Sequence, residues 1–122
     1  MQNIKLTIHF DAPQLEADAK ERLVENLMLD LKEIDEVESI NKVRHPSPPV
    51  NSKSLGGFIV GLLTAEVSAK NAKHLLSYLG TRLESKPIEL EVESEGRHLK
   101  VKAHNREELA FAVKTAQDFI AK

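Results

Sequence analysis

Near the start of the chain Ile4, Leu6, Ile8 and Phe10 alternate with Lys5, Thr7 and His9. Alternation of period two predicts a strand over residues 2–10 with one buried and one solvated face. Asp11 is placed to cap a helix, with Pro13 in the first turn, where a missing N–H does no harm. Leu23, Val24, Leu27, Met28, Leu31 and Ile34 then recur on one stripe at helical spacing, predicting an amphipathic helix over 13–33. Leu29 falls on its opposite face, among Arg22, Glu25, Lys32 and Glu33. Val37 to Val43 reads as a weaker strand.

The next stretch, 44–54, contains Pro46, Pro48 and Pro49. Prolines remove backbone donors and fix φ, so an extended, irregular loop is expected inside one domain. Residues 55–63 follow, almost wholly apolar with Gly56, Gly57 and Gly61. A helix or turn packed in the core is the plainer expectation there. The segment is too apolar to stay in water, which predicts partial burial completed by self-association through Phe58, Ile59 and Leu62. Ala72, Leu75, Leu76, Leu79 and Leu83 mark a helix over about 66–83, with Pro87 just past its end.

Ile88, Leu90 and Val92 alternate with Glu89, Glu91 and Glu93; after Ser94 to Arg97, Leu99, Val101 and Ala103 alternate with His98, Lys100 and Lys102. This predicts a β-hairpin turning at Glu95-Gly96, pairing Val92 with Leu99 and Leu90 with Val101. The same register sets Glu93 by His98, Glu91 by Lys100 and Glu89 by Lys102. Asn105 with Glu108 three residues on forms a capping box for a last helix. Leu109, Ala112, Val113, Ala116 and Ile120 make its buried stripe, and Phe111 lies on its polar side.

The predicted order is β-α-β-loop-α-β-β-α. Strands with one charged face cannot be covered on both sides. The fold class expected is therefore α+β: a two-layer α/β sandwich with helices on one face of a mixed sheet of about four strands. At 122 residues the chain suits a single domain over 1–122. Hydrophobic residues at 41% and charged residues at 30% argue for a globular protein over a disordered one.

With a net charge of −2 and Lys and Arg scattered among acids, the basic face a nucleic-acid binder needs is not seen. Zero cysteines exclude disulfides, thiolate metal sites and a Cys nucleophile. The opening residues Met1 to Lys5 enter a strand pattern without a signal-peptide core, and no apolar stretch reaches the ~20 residues of a membrane span. The location expected is cytoplasmic.

The five histidines form no H-x-x-x-H pair, so surface positions are expected and no metal. Ser47, Ser52 and Ser54 lie outside any G-x-S-x-G elbow, and the glycines lack the G-K-[ST] of a phosphate loop. Glu89 and Glu91 face lysines of the next strand and Glu93 faces His98, which favours a charge ladder over acid–base catalysis. The expectation is a protein that is not an enzyme and carries no cofactor. Binding features remain: Gly57-x-x-x-Gly61 for close approach, Pro46-x-x-Pro49 as a polyproline-like stretch, and Leu29 and Phe111 as exposed apolar residues.

Arg44, the proline cluster, Leu55-Gly56-Gly57, the apolar run, the Leu75–Leu83 helix and the Glu95-Gly96-Arg97 hairpin occur in an order that resembles the effector-associated constant component family of bacterial NTP-dependent conflict systems. The resemblance covers about residues 20–120. It departs in the polar stretch Val50 to Ser54 and in His98, where a second Arg is expected. It implies a non-enzymatic accessory or adaptor protein whose partner is a peptidase-type effector or an adaptor domain. The family's loop features fall on Arg44, Pro48, Pro49, Leu55 and Gly56. With Pro46 and Phe111 these are the candidate partner-binding residues. The alternative is a small-molecule-sensing α/β regulatory domain, since the fold alone does not separate the two.

Overall fold

In the computed structural model, the described residues are 3–11, 15–34, 37–44, 58–83, 87–121. Eight elements follow in order: β1 (Asn3–Phe10), α1 (Ala17–Lys32), β2 (Val37–Arg44), β3 (Phe58–Ser68), α2 (Ala69–Arg82), β4 (Ile88–Ser94), β5 (Arg97–Ala103) and α3 (Arg106–Ala121). The strands form one five-stranded sheet of order β2-β3-β1-β4-β5, antiparallel at every junction. The α+β class stands. The expectation of about four strands in a mixed sheet is corrected to five, all antiparallel.

The extra strand comes from the apolar segment. Residues 58–63 are neither helix nor turn but the first half of β3, which runs on through Thr64-Ala65-Glu66-Val67-Ser68. Ala65 and Val67 are buried while Glu66 is exposed, a period-two pattern that the neighbouring helical stripe had absorbed into a helix from 66. Helix α2 starts at Ala69 instead. Likewise α1 begins at Ala17, with Glu16 at its N-cap position. Asp11 does not cap it; its N–H donates to the carbonyl of Pro87 at 3.1 Å, tying the end of β1 to the start of β4.

Strand β1 sits at the centre, between β3 and β4. Its Ile4, Leu6, Ile8 and Phe10 are essentially inaccessible, and their cross-strand neighbours Leu63, Ala65, Val67, Ile88, Leu90 and Val92 are buried on the same face. Helix α1 covers β2 and β3, α3 covers β5 and β4, and α2 lies between, against α3, β3 and β1. From the helices Val24, Leu27 and Leu31, then Ala72, Leu75, Leu76 and Leu79, then Leu109, Ala112, Val113 and Ala116 complete one core. Each large side chain so buried contributes ~1.5–3 kcal/mol, which makes this layer contact the main source of stability. Leu29 and Phe111 stay outside it, 63% and 73% exposed, as their helix faces predict.

The hairpin forms in the expected register, residue for residue, from Ser94 opposite Arg97 to Ile88 opposite Ala103. Asn105 accepts a hydrogen bond from the Glu108 N–H at 2.8 Å. The Glu108 carboxylate in turn accepts from the His104 N–H at 2.8 Å, and that bond holds its pKa below the ordinary carboxylate value. Asn105 thus caps α3 as its sequence predicts, but the return bond from Glu108 goes to the N–H of His104, one residue before the cap, and not to Asn105 itself.

The two turn residues both have positive φ, 52° at Glu95 and 78° at Gly96. That is the type I′ geometry matching the twist of paired strands, and it suits Asn-Gly better than Glu-Gly. A side chain with a Cβ in this region costs about 1 kcal/mol, less for Asn. Glu95→Asn is therefore expected to raise the unfolding free energy by about 0.5–1 kcal/mol in urea denaturation. An unchanged or lower midpoint would contradict the turn assignment.

Candidate binding face and its anchor

The sheet face opposite the helices is made of the residues that alternate with the core. Ser39, Asn41 and Val43 stand on β2, Leu62, Thr64 and Glu66 on β3, Asn3, Lys5, Thr7 and His9 on β1, Glu89, Glu91 and Glu93 on β4, and His98, Lys100 and Lys102 on β5. Nothing among the described residues covers this face.

Its chemistry divides along the sheet. Around β1 and β3 it is mixed, with Lys5, His9 and Glu66 beside the threonines: the Thr7 and Thr64 hydroxyls lie 3.4 Å apart and the Ser39 hydroxyl of β2 donates to Glu66 at 3.2 Å. Towards β5 it becomes a column of acids beside a column of bases. Lys100 Nζ lies 3.4 Å from Glu89 and 3.7 Å from Glu91, Lys102 Nζ lies 3.6 Å from Glu89, and His98 Nε2 lies 2.9 Å from Glu91. Hydrogen bonding to Glu89, then the charges of both carboxylates, raises the Lys100 pKa above the ordinary lysine value. The acids are the less accessible partners: side-chain exposure is 13% at Glu89 against 52% at Lys100 and 58% at Lys102. The two lysines therefore stand further out than the acids they pair with.

At the hairpin end, Lys5, Glu66, Glu93, Arg97 and His98 border an open depression of about 550 Å³. Arg97 also stacks over Phe119 of α3, 4.8 Å from the ring centre, fixing the strand to the helix. Among the described residues no group of three His, Asp or Glu is placed to hold a metal ion. No helix among the described residues is long and apolar enough to cross a membrane.

Of the candidate partner-binding residues, Arg44 ends β2 and pairs with Phe58 at the start of β3. That pair brackets 45–57, so Pro46, Pro48, Pro49, Leu55 and Gly56 lie outside the described residues. Ile59 lies in β3, and Leu62 is half-buried on the open face opposite His9. Phe111 belongs to α3, which packs on β5, at the other edge of the sheet from β2. Arg44 and Phe111 therefore do not form one site.

A residue that sequence patterning missed anchors the Arg44–Phe58 end. Glu21 is only 5% exposed in the helical layer. One of its carboxylate oxygens accepts from the Gly61 N–H at 3.1 Å; the other lies 2.9 Å from Lys42 Nζ. Gly61 has φ +77°, and a Cβ there would meet the Phe10 carbonyl at 3.4 Å. The strand pairing skips at this point, from Lys42–Leu63 to Arg44–Phe58, and the kinked backbone needs an acceptor that the ladder no longer supplies. The signal available beforehand was weak: Glu21 lies three residues before Val24 on the apolar stripe, and Lys42 sits on the side of β2 facing the helices.

No family model, no curated protein and no solved structure matches the chain.

Truncating Glu21 leaves the buried Gly61 N–H without its acceptor, which costs ~1–3 kcal/mol, and removes the ion pair to the partly exposed Lys42. Glu21→Ala is expected to lower stability by about 1–3 kcal/mol, and Glu21→Gln, which still accepts from Gly61, by clearly less. Equal losses for the two variants in chemical denaturation would show that the Gly61 bond contributes nothing.

Proposed function

We propose that this chain is a non-enzymatic accessory protein, cytoplasmic in setting, that binds an effector-side partner, either a peptidase-type effector or an adaptor domain. The observation that carries this reading is the uncovered sheet face, where ion pairs hold acids and bases in fixed columns on regular strands. Such preorganised charge gives orientation and partner selection with little ordering cost on binding. Arg44 ends β2 on this sheet, opposite Phe58 of β3, so the candidate 44–56 stretch is joined to it at both ends. Arg44 supplies a guanidinium able to grip a carboxylate with two parallel bonds. Self-association through Phe58, Ile59 and Leu62 would use the same β3 end.

The depression beside the hairpin turn favours a second reading, a small-molecule-sensing domain. Its lining residues are mostly charged and its mouth is open, whereas small-ligand sites are enclosed and mostly apolar. Protein binding is therefore preferred.

The test is calorimetric titration of this chain with the peptidase-type or adaptor protein encoded by a neighbouring gene. Arg44→Ala and the double variant Pro48→Ser with Pro49→Ser are expected to weaken binding by about tenfold, near 1.4 kcal/mol, while the fold is retained. Folded variants that bind as tightly as the parent chain would make the 44–56 segment a connector only.

A further inference from the structure

Strand β5 forms one edge of the sheet. Among the described residues β5 has no neighbour on its outer side, and its seven pairs with β4 run without a bulge. The opposite edge strand, β2, carries two register irregularities, the usual device that blunts an edge against further pairing.

The hairpin geometry fixes which backbone groups point outward. In a two-residue turn the closing pair, Ser94 with Arg97, exchanges both its hydrogen bonds, as does every second pair after it. Arg97, Leu99, Val101 and Ala103 thus bond inward to β4. The N–H and C=O groups of His98, Lys100 and Lys102 face away from the sheet.

Those three residues also present basic or imidazole side chains on the open face, all exposed. On the helix side Leu99 and Val101 are only partly buried at the margin of the core. A strand laid along this edge would set acidic residues opposite His98, Lys100 and Lys102 and apolar ones beside Leu99 and Val101. The inner neighbour already shows that pattern, Ile88-Glu89-Leu90-Glu91-Val92-Glu93. A second copy does not fit: antiparallel pairing of two β5 strands opposes bases to bases, which is destabilising.

We propose that the β5 edge captures an extended segment of another protein in which Glu or Asp alternates with Val, Ile or Leu, added antiparallel or parallel as a sixth strand. Main-chain hydrogen bonds supply affinity in this mode, and alternate side chains supply selectivity. The proposal deepens the protein-binding reading and rests on it.

The test titrates the isotope-labelled full chain with a synthetic capped peptide, Ser-Val-Glu-Ile-Glu-Val-Glu-Ser, and with its counterpart carrying Lys for Glu. With the acidic peptide, amide exchange at His98, Lys100 and Lys102 is expected to slow about tenfold, with shifts confined to β5 and the facing part of α3. The lysine peptide is expected to do nothing at equal concentration. Lys100→Pro removes an outward donor but no bond to β4 and is expected to abolish the effect, whereas Lys100→Ala only weakens it. If Lys100→Pro does not fold, Lys100→Gln with Lys102→Gln makes the same comparison and is expected to weaken binding about fivefold. Unchanged β5 amides, protection at β2 instead, or an equal response to the lysine peptide would overturn the proposal. Peptide protection of β5 without binding of the effector-side protein would overturn the adaptor reading alone. An effector-side protein that binds and leaves β5 amides unprotected would overturn this inference alone.

Discussion

A strand that is apolar at every second residue can bury only one of its faces, and the central strand β1 imposes that constraint on the whole molecule. Ile4, Leu6, Ile8 and Phe10 are all but inaccessible, and pairing on both sides forces β3 and β4 to put their own apolar residues on the same face. Slipping any of these strands by one residue would carry Lys5, Glu66 or Glu91 into the core. Three helices cover the apolar side. The other side is left uncovered among the described residues and is mostly polar.

How much of this was legible in the sequence depended on whether the local pattern was also the global one. The hairpin was readable to the residue, because Glu89, Glu91 and Glu93 against His98, Lys100 and Lys102 satisfy both faces in a single register. The α3 cap was readable because Asn105 and Glu108 act within one turn of each other. Residues 66–68 read as helix because Ala65 and Val67 sit directly before the stripe of α2, and a short alternating stretch there looks like an early helical turn. The apolar run before it resembled a core helix by composition, and Gly61 gave no hint of period.

Of the binding surface, the charge columns on β4 and β5 could be foreseen, together with the isolated exposure of Leu29 and Phe111. The Glu21 anchor could not, since its partners Lys42 and Gly61 are far along the chain and meet it only through packing of α1 on β2 and β3. That contact matters beyond stability. It holds the register shift that precedes the Arg44–Phe58 pair, so the helical layer positions one end of the proposed binding surface. The hairpin, fixed by Arg97 on Phe119, positions the other.

The most direct measurement is hydrogen–deuterium exchange on this chain with and without the proposed peptidase-type or adaptor partner. Binding through the sheet side predicts slowed exchange in β5 and around the Arg44–Phe58 pair, with the amides of α1 near Leu29 and of α3 near Phe111 unchanged. Protection confined to the helical layer around Leu29 and Phe111, with β5 and Arg44 exchanging as in the free protein, would contradict it.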